Sequence, residues 1–182
     1  MDQHNITIVS FAYFEESFLK KIADVVRSET RHQVKIREGH LDLSDFYDAS
    51  RRQYNADRML KAVDSVYGDD SFRTIGIFNV DLFIPILTYI FGQAYLNGRT
   101  SIASAYRLSN EGYGLRHDEG IMFERLSKEV VHELGHTLGL IHCHNPTCVM
   151  RSGTYVEDID QKDTGFCINC RKSLSVNNLI PL

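Results

Sequence analysis

The first 142 residues of this 182-residue chain contain no cysteine; all four cysteines fall in the remaining 40. Basic charge is not in excess either, with 20 Lys and Arg against 24 Asp and Glu and a net charge of −4. No basic face or tail stands out beyond the local pair Arg51-Arg52, which argues against nucleic-acid binding. The N-terminal stretch MDQHNITIVSFAYFEE lacks the positively charged n-region and the long apolar run of a signal peptide. No segment approaches the ~18 continuous apolar residues that span a membrane. The most apolar stretch, Asp81 to Ala94, is too short and carries Pro85. These absences point to a cytoplasmic protein with neither nucleic acid nor membrane as partner. Heptads, an apolar surface stripe, internal repeats and low-complexity segments are missing as well, so a monomer is expected.

What is present is the composition of one globular domain, 43% hydrophobic and 24% charged. A chain of this length buries roughly 70% of its unfolded surface, enough for a core of its own. Ile6 to Phe11 is β-branched and apolar and reads as a buried strand. Glu15 to Ser28 spaces Phe18, Leu19, Ile22, Val25 and Val26 along one helical face. Gln33 to Leu43 alternates as a second strand and runs into a long connection. Asn55 to Tyr67 reads as a second helix, with Asn55 as its cap and Gly68 as its terminator. Phe72 to Phe78 is a third strand, Asn97-Gly98 a turn, and Thr100 to Leu108 a fourth strand. After a polar loop, a helix starting at Glu119 or Ile121 is expected to reach about Leu138. Alternating strands and helices predict an α/β (or α+β) sheet domain over residues 1–142. A small region covering 143–182 completes the same compact unit.

The densest chemistry lies in Val131 to Met150, VHELGHTLGLIHCHNPTCVM. His132 and His136 are four residues apart, about 40° in helical projection, so one face can present both imidazoles to one metal ion. Glu133 is offset by one residue, beside the metal rather than on it, where it can act as general base for a water. His142 supplies a third imidazole, which leaves a fourth tetrahedral position open, as in a catalytic zinc site. A straight helix would carry His142 roughly 9 Å past His136. Gly139, in a left-handed conformation, can end the helix and turn the chain back. The four cysteines come as two clusters, Cys143 with Cys148 and Cys167 with Cys170. In an exported protein they could form two disulfides in any of three pairings. Without an export signal, paired clusters more often hold zinc. Cys167 and Cys170 alone would also fit a dithiol redox pair, although no strand-to-helix pattern surrounds them.

H-E-x-x-H-x-x-G-x-x-H followed by a methionine is the metzincin pattern. With H-C-x4-C-x-M and then C-x-x-C, the stretch from Val131 to Cys170 resembles the archaemetzincins. The resemblance implies a mixed twisted sheet with an antiparallel edge strand, at about Ser101 to Leu108, a backing helix and the active-site helix. It implies two zinc ions, one catalytic on His132, His136 and His142, and one structural on Cys143, Cys148, Cys167 and Cys170. Met150 takes the Met-turn position beneath the catalytic site, and Tyr155 matches only loosely a tyrosine that assists the oxyanion in some metzincins. The expected activity is hydrolysis of a peptide or protein substrate with Glu133 as the base. A competing reading is a zinc-containing binding or regulatory protein with a vestigial site, against which the intact Glu133 speaks. His4, His32, His40, His117 and His144 lie off the motif and are expected to be structural or surface residues.

Overall fold

The computed structural model describes residues 5–68, 71–177, 179 and 180. β1 (Asn5–Ser10) leads into α1 (Glu16–Thr30), which returns the chain to β2 (Gln33–Glu38), parallel to β1. β3 (Tyr47–Asp48) and β4 (Gln53–Asn55) form a short antiparallel pair. α2 (Ala56–Tyr67) follows, with the Asn55 side chain accepting from Arg58 N–H at 3.1 Å as its cap. Then come β5 (Arg73–Phe78), β6 (Leu82–Phe83), β7 (Gly92–Ala94) and β8 (Thr100–Ser104). α3 (Glu119–Thr137), α4 (Val156–Asp160) and α5 (Ile168–Val176) complete the chain.

The main sheet has the order β2-β1-β5-β8-β7, parallel except for β7, which runs antiparallel to β8; β3, β4 and β6 make a second, small sheet. Alternation along the strands feeds two cores. Ile6, Ile8, Ile75, Ile77 and Ala103 pack with α1 and α3 on one face. Val9, Phe78 and Ile102 pack with Met59, Leu60 and Val63 of α2 on the other. Each fully buried isoleucine of this set contributes ~1.5–3 kcal/mol over its exposed state, so the central strands anchor the fold. The predicted α/β class is thus observed.

Three expectations need correcting. The antiparallel edge strand is not Ser101 to Leu108: β8 lies inside the sheet between β5 and β7, and β7 is the edge. The TSIAS segment, buried at all five positions and carrying β-branched Thr100 and Ile102, fits an interior position, whereas the three-residue Gly-Gln-Ala strand carries no β-branched signal of its own. The fourth strand stops at Ser104, and Tyr106–Leu108 forms a 3-10 turn. The second strand likewise ends at Glu38 rather than Leu43. Gly68 does terminate α2, but in right-handed geometry at φ −70°.

Arg125 ties α3 to both of its flanks. Its guanidinium donates to both carboxylate oxygens of Asp160 at 2.7 Å, and to Leu108 O and Asn110 Oδ1 at 3.0 Å each. Arg125→Met should leave the buried Leu108 O and Asn110 Oδ1, and the more exposed Asp160 carboxylate, without this partner and cost about 1–3 kcal/mol. A lower denaturation midpoint with an unchanged m-value would be the signature.

Candidate active site and metal centres

Asp118 starts α3 by accepting from Ile121 N–H at 3.0 Å, and from Arg125 to Gly135 nearly every residue of the helix is buried. It ends as the sequence predicts. Gly139 adopts φ 89°, its N–H donates to His136 O, and Leu140 N–H reaches back to Gly135 O, both at 2.9 Å. These two bonds satisfy the last carbonyls and reverse the chain. The β7–β8 turn is fastened to the same place, because Asn97 N–H donates to His136 O at 2.9 Å.

The reversal brings His142 to the other two imidazoles. One nitrogen of each of His132, His136 and His142 lies within 4.8 Å of the others. His132 Nδ1 is 2.8 Å from Val149 O, and His136 Nδ1 is 2.7 Å from Leu140 O. A carbonyl can only accept, so both Nδ1 atoms carry the proton and both Nε2 atoms present lone pairs. Those Nε2 atoms are 3.1 Å apart, close to the about 3.3 Å that two nitrogens take around one tetrahedral zinc. Two facing lone pairs repel unless a cation lies between them, so the donor set fits a divalent metal. Burial lowers the pKa of all three imidazoles, that of His132 well below its ordinary 6.5, which keeps them in the ligating form.

Glu133 is buried beside this cluster, and its Oε2 has no hydrogen-bonding partner among the described residues. Burial pushes its carboxyl pKa well up, and the charge of Glu129 pushes the same way. Lys162 opposes both. Glu129 and Lys162 are themselves buried and line the same cavity of about 670 Å³ as the imidazoles. Lys162 Nζ is fixed by donating to Arg151 O at 2.9 Å, and burial lowers its pKa while Glu129 and Glu133 raise it. Sequence reasoning missed both residues. Glu129 could have been found, since it lies one helical turn before Glu133. Lys162 sits 29 residues after Glu133 with no motif around it.

The cysteines converge as well. Cys143 Sγ lies 3.8 Å from Cys167 Sγ, and Cys148 Sγ lies 3.8 Å from Cys170 Sγ, with all four within 4.8 Å. These are not disulfide distances; all four thiols are free. Sulfurs about 2.3 Å from one tetrahedral zinc would stand about 3.8 Å apart, so this cluster fits a closed zinc site. Cys167 caps α5, where burial raises its pKa but the backbone and thiol of Cys170 outweigh it, leaving it at about 7. Backbone N–H groups of Asn145 and Cys167 point at Cys143 Sγ and Cys148 Sγ at 3.4 Å, as suits thiolates.

Met150 is buried against α3, and a methyl group at Gly135 would stand 3.1 Å from its Cε and 3.0 Å from Phe166. The glycine within H-E-L-G-H therefore lets a sulfur-containing floor press against the helix. Tyr155 lines the cavity and is exposed. His32 is buried with Nε2 2.8 Å from Leu179 O, His117 pairs with Glu111, and His40 and His144 are exposed. His4 lies outside the described residues.

Two outcomes are expected. In zinc-stripped protein the depressed imidazole pKa values stabilise the fold fully above pH 6.5 and progressively less below it, since the unfolded chain then binds more protons. Thermal melts between pH 7.5 and 5.5 should therefore fall more steeply for the wild type than for His132→Gln, a comparison that removes the opposing contribution of the carboxyls. If the cysteine cluster holds the zinc it fits, Cys167→Ser should lower the bound zinc content, by elemental analysis, and lower Tm by several degrees.

The profile of peptidase family M54 matches residues 1–176. An archaemetzincin of Pyrococcus horikoshii is 38% identical over 165 residues, covering 88% of this chain and 87% of that one. The crystal structure of archaemetzincin from Methanopyrus kandleri superposes with a TM-score of 0.84 at 30% identity, covering 97% of this chain and 96% of that one. A zinc-dependent peptidase from Methanocorpusculum labreanum superposes at 0.78 with 25% identity, covering 93% and 99%. The likeness runs through the sheet, the helix that carries His132 and His136, and the cysteine-bearing segment together, and the chain belongs to peptidase family M54.

Proposed function

We infer that this zinc metallopeptidase of family M54 hydrolyses peptide bonds at the His132, His136 and His142 cluster, with Glu133 as the general base. The observation that supports it most directly is the buried, unpartnered Oε2 of Glu133 beside three imidazoles, two of which turn lone pairs toward one point. Zinc bound there supplies a Lewis acid for the scissile carbonyl and lowers the pKa of water from 15.7 to about 7. Oε2 of Glu133 takes the proton as water attacks the carbonyl and returns it to the departing amine. Val149 O and Leu140 O hold the two helical imidazoles in the ligating tautomer. Among the described residues β7 pairs with β8 alone in its sheet, which leaves a free edge on the cavity where an extended peptide can add through main-chain hydrogen bonds.

In this reading residues 1–142 form the subdomain that carries the active-site helix. Residues 143–182 form a smaller one in which Met150 is the metzincin-type floor and Cys143, Cys148, Cys167 and Cys170 hold a second, structural zinc. Four free thiols within ligand distance suit a reducing compartment, which supports a cytoplasmic location; a monomer with neither nucleic-acid nor membrane partners remains the proposal. No described helix is long and apolar enough to cross a membrane.

Glu133→Ala should lower turnover by about 10²–10⁴-fold while zinc stays bound. A mass-spectrometric cleavage screen on a diverse peptide library, run beside a zinc assay, reads both quantities. Undiminished cleavage by the variant would remove Glu133 from its role.

A further inference from the structure

Gly92 opens the edge strand β7 and pairs with Ala103 of β8. A methyl group on its Cα would stand 2.7 Å from Cγ and 2.9 Å from Oε1 of Glu133, closer than real contacts of that kind come. It would also stand 2.7 Å from Ile102 O, so the strand cannot tilt away from Glu133 without breaking into the sheet behind it. Glu133 can give way only by leaving this position for the cavity that it lines. It is buried, with Glu129 one helical turn behind it and the Lys162 ammonium also facing it.

We propose that Gly92 is a positioning residue for Glu133: the side chain missing from the edge strand forms the notch in which the side chain of the base lies. The proposal deepens the peptidase reading and rests on it for the role of Glu133. A base works only when its oxygen lies within about 2.6–3.2 Å of the atom whose proton it takes. Misplacement by about 1 Å can cost on the order of 10²-fold in rate. The notch serves that tolerance by holding Cγ and Oε1 against the strand, which leaves Oε2 free of partners. It also joins two functions in one residue, because the backbone of Gly92 belongs to the free edge offered to a peptide.

The test uses Gly92→Ala in the zinc-loaded full chain, alone and combined with Glu133→Ala. With a cleaved peptide in hand, Gly92→Ala should lower kcat by about 10²-fold with zinc content and KM nearly unchanged, since the main-chain groups of β7 remain. A KM effect without a kcat effect would instead make Gly92 a substrate-strand residue and overturn the proposal. The second readout needs no activity. Gly92→Ala should lower Tm, and the fall should shrink to about half or less in the Glu133→Ala background, where two of the three close contacts are gone. Equal falls in both backgrounds would overturn the notch. If Gly92→Ala alone does not fold, recovery of a folded protein in the double variant supports the proposal, and failure of the double variant to fold overturns it. A non-additive melting cycle in a protein that cleaves nothing would retain the notch and reject the peptidase reading, so the two failures are distinguishable.

Discussion

A helix can place two imidazoles on one face, but it carries a third residue steadily away along its axis. The chain therefore has to leave α3 within a turn of His136 if His142 is to reach the same point. The stop at Gly139 meets this constraint, with φ 89° and two backbone bonds that consume the carbonyls of Gly135 and His136. Much else is hung from the same few atoms. His136 O also accepts from Asn97 N–H, fixing the turn of the edge hairpin, and Leu140 O holds the His136 ring. Helix end, cleft wall and ligand orientation are thus one hydrogen-bonded junction.

The helix interior departs from an ordinary core in a way that tells where the chemistry lies. Arg125, Lys128, Glu129, His132 and Glu133 are all buried on α3, an arrangement that costs free energy unless each group finds a partner. Arg125 and Lys128 do, on Asp160, Leu108 O, Asn110 and Ile159 O. These belong to the scaffold. Glu133 does not find one for Oε2, and the histidines face one another through lone pairs. Unmet polar demand lies mainly around the cavity, at Glu133 Oε2 and Gln93 Oε1, with Ser127 Oγ as one further unpartnered group on the helix.

The parts legible in the sequence are those whose spacing is local. H-E-x-x-H needs only the helical period, Gly139 only its permissive backbone, and Asn55 and the two cysteine pairs only short offsets. The central strands were legible because apolar, β-branched runs such as ITIVSF have few other uses. β7 was not, because Gly92, Gln93 and Ala94 are strand only through their pairing with β8, and its function as an edge comes from tertiary position. The TSIAS segment one hairpin away carries the stronger strand signal. Lys162 was hidden for a related reason: its environment is assembled by α3 and the segment around Arg151, neither adjacent to it in sequence. The glycine at position 92 signals nothing until Glu133 is seen lying against it.

His142 and Cys143 are consecutive residues, and Cys143 is held in place by its N–H bond to Met150 O at 2.9 Å and by its sulfur neighbours. The third imidazole is therefore tethered one peptide unit from a fixed point rather than free at the end of a loop. Its arrival at a cation is an intramolecular event with a high effective concentration, so little chain entropy is lost when it binds. For a metal held by the three histidines, the chelate effect would be set in part by thiols that never touch it.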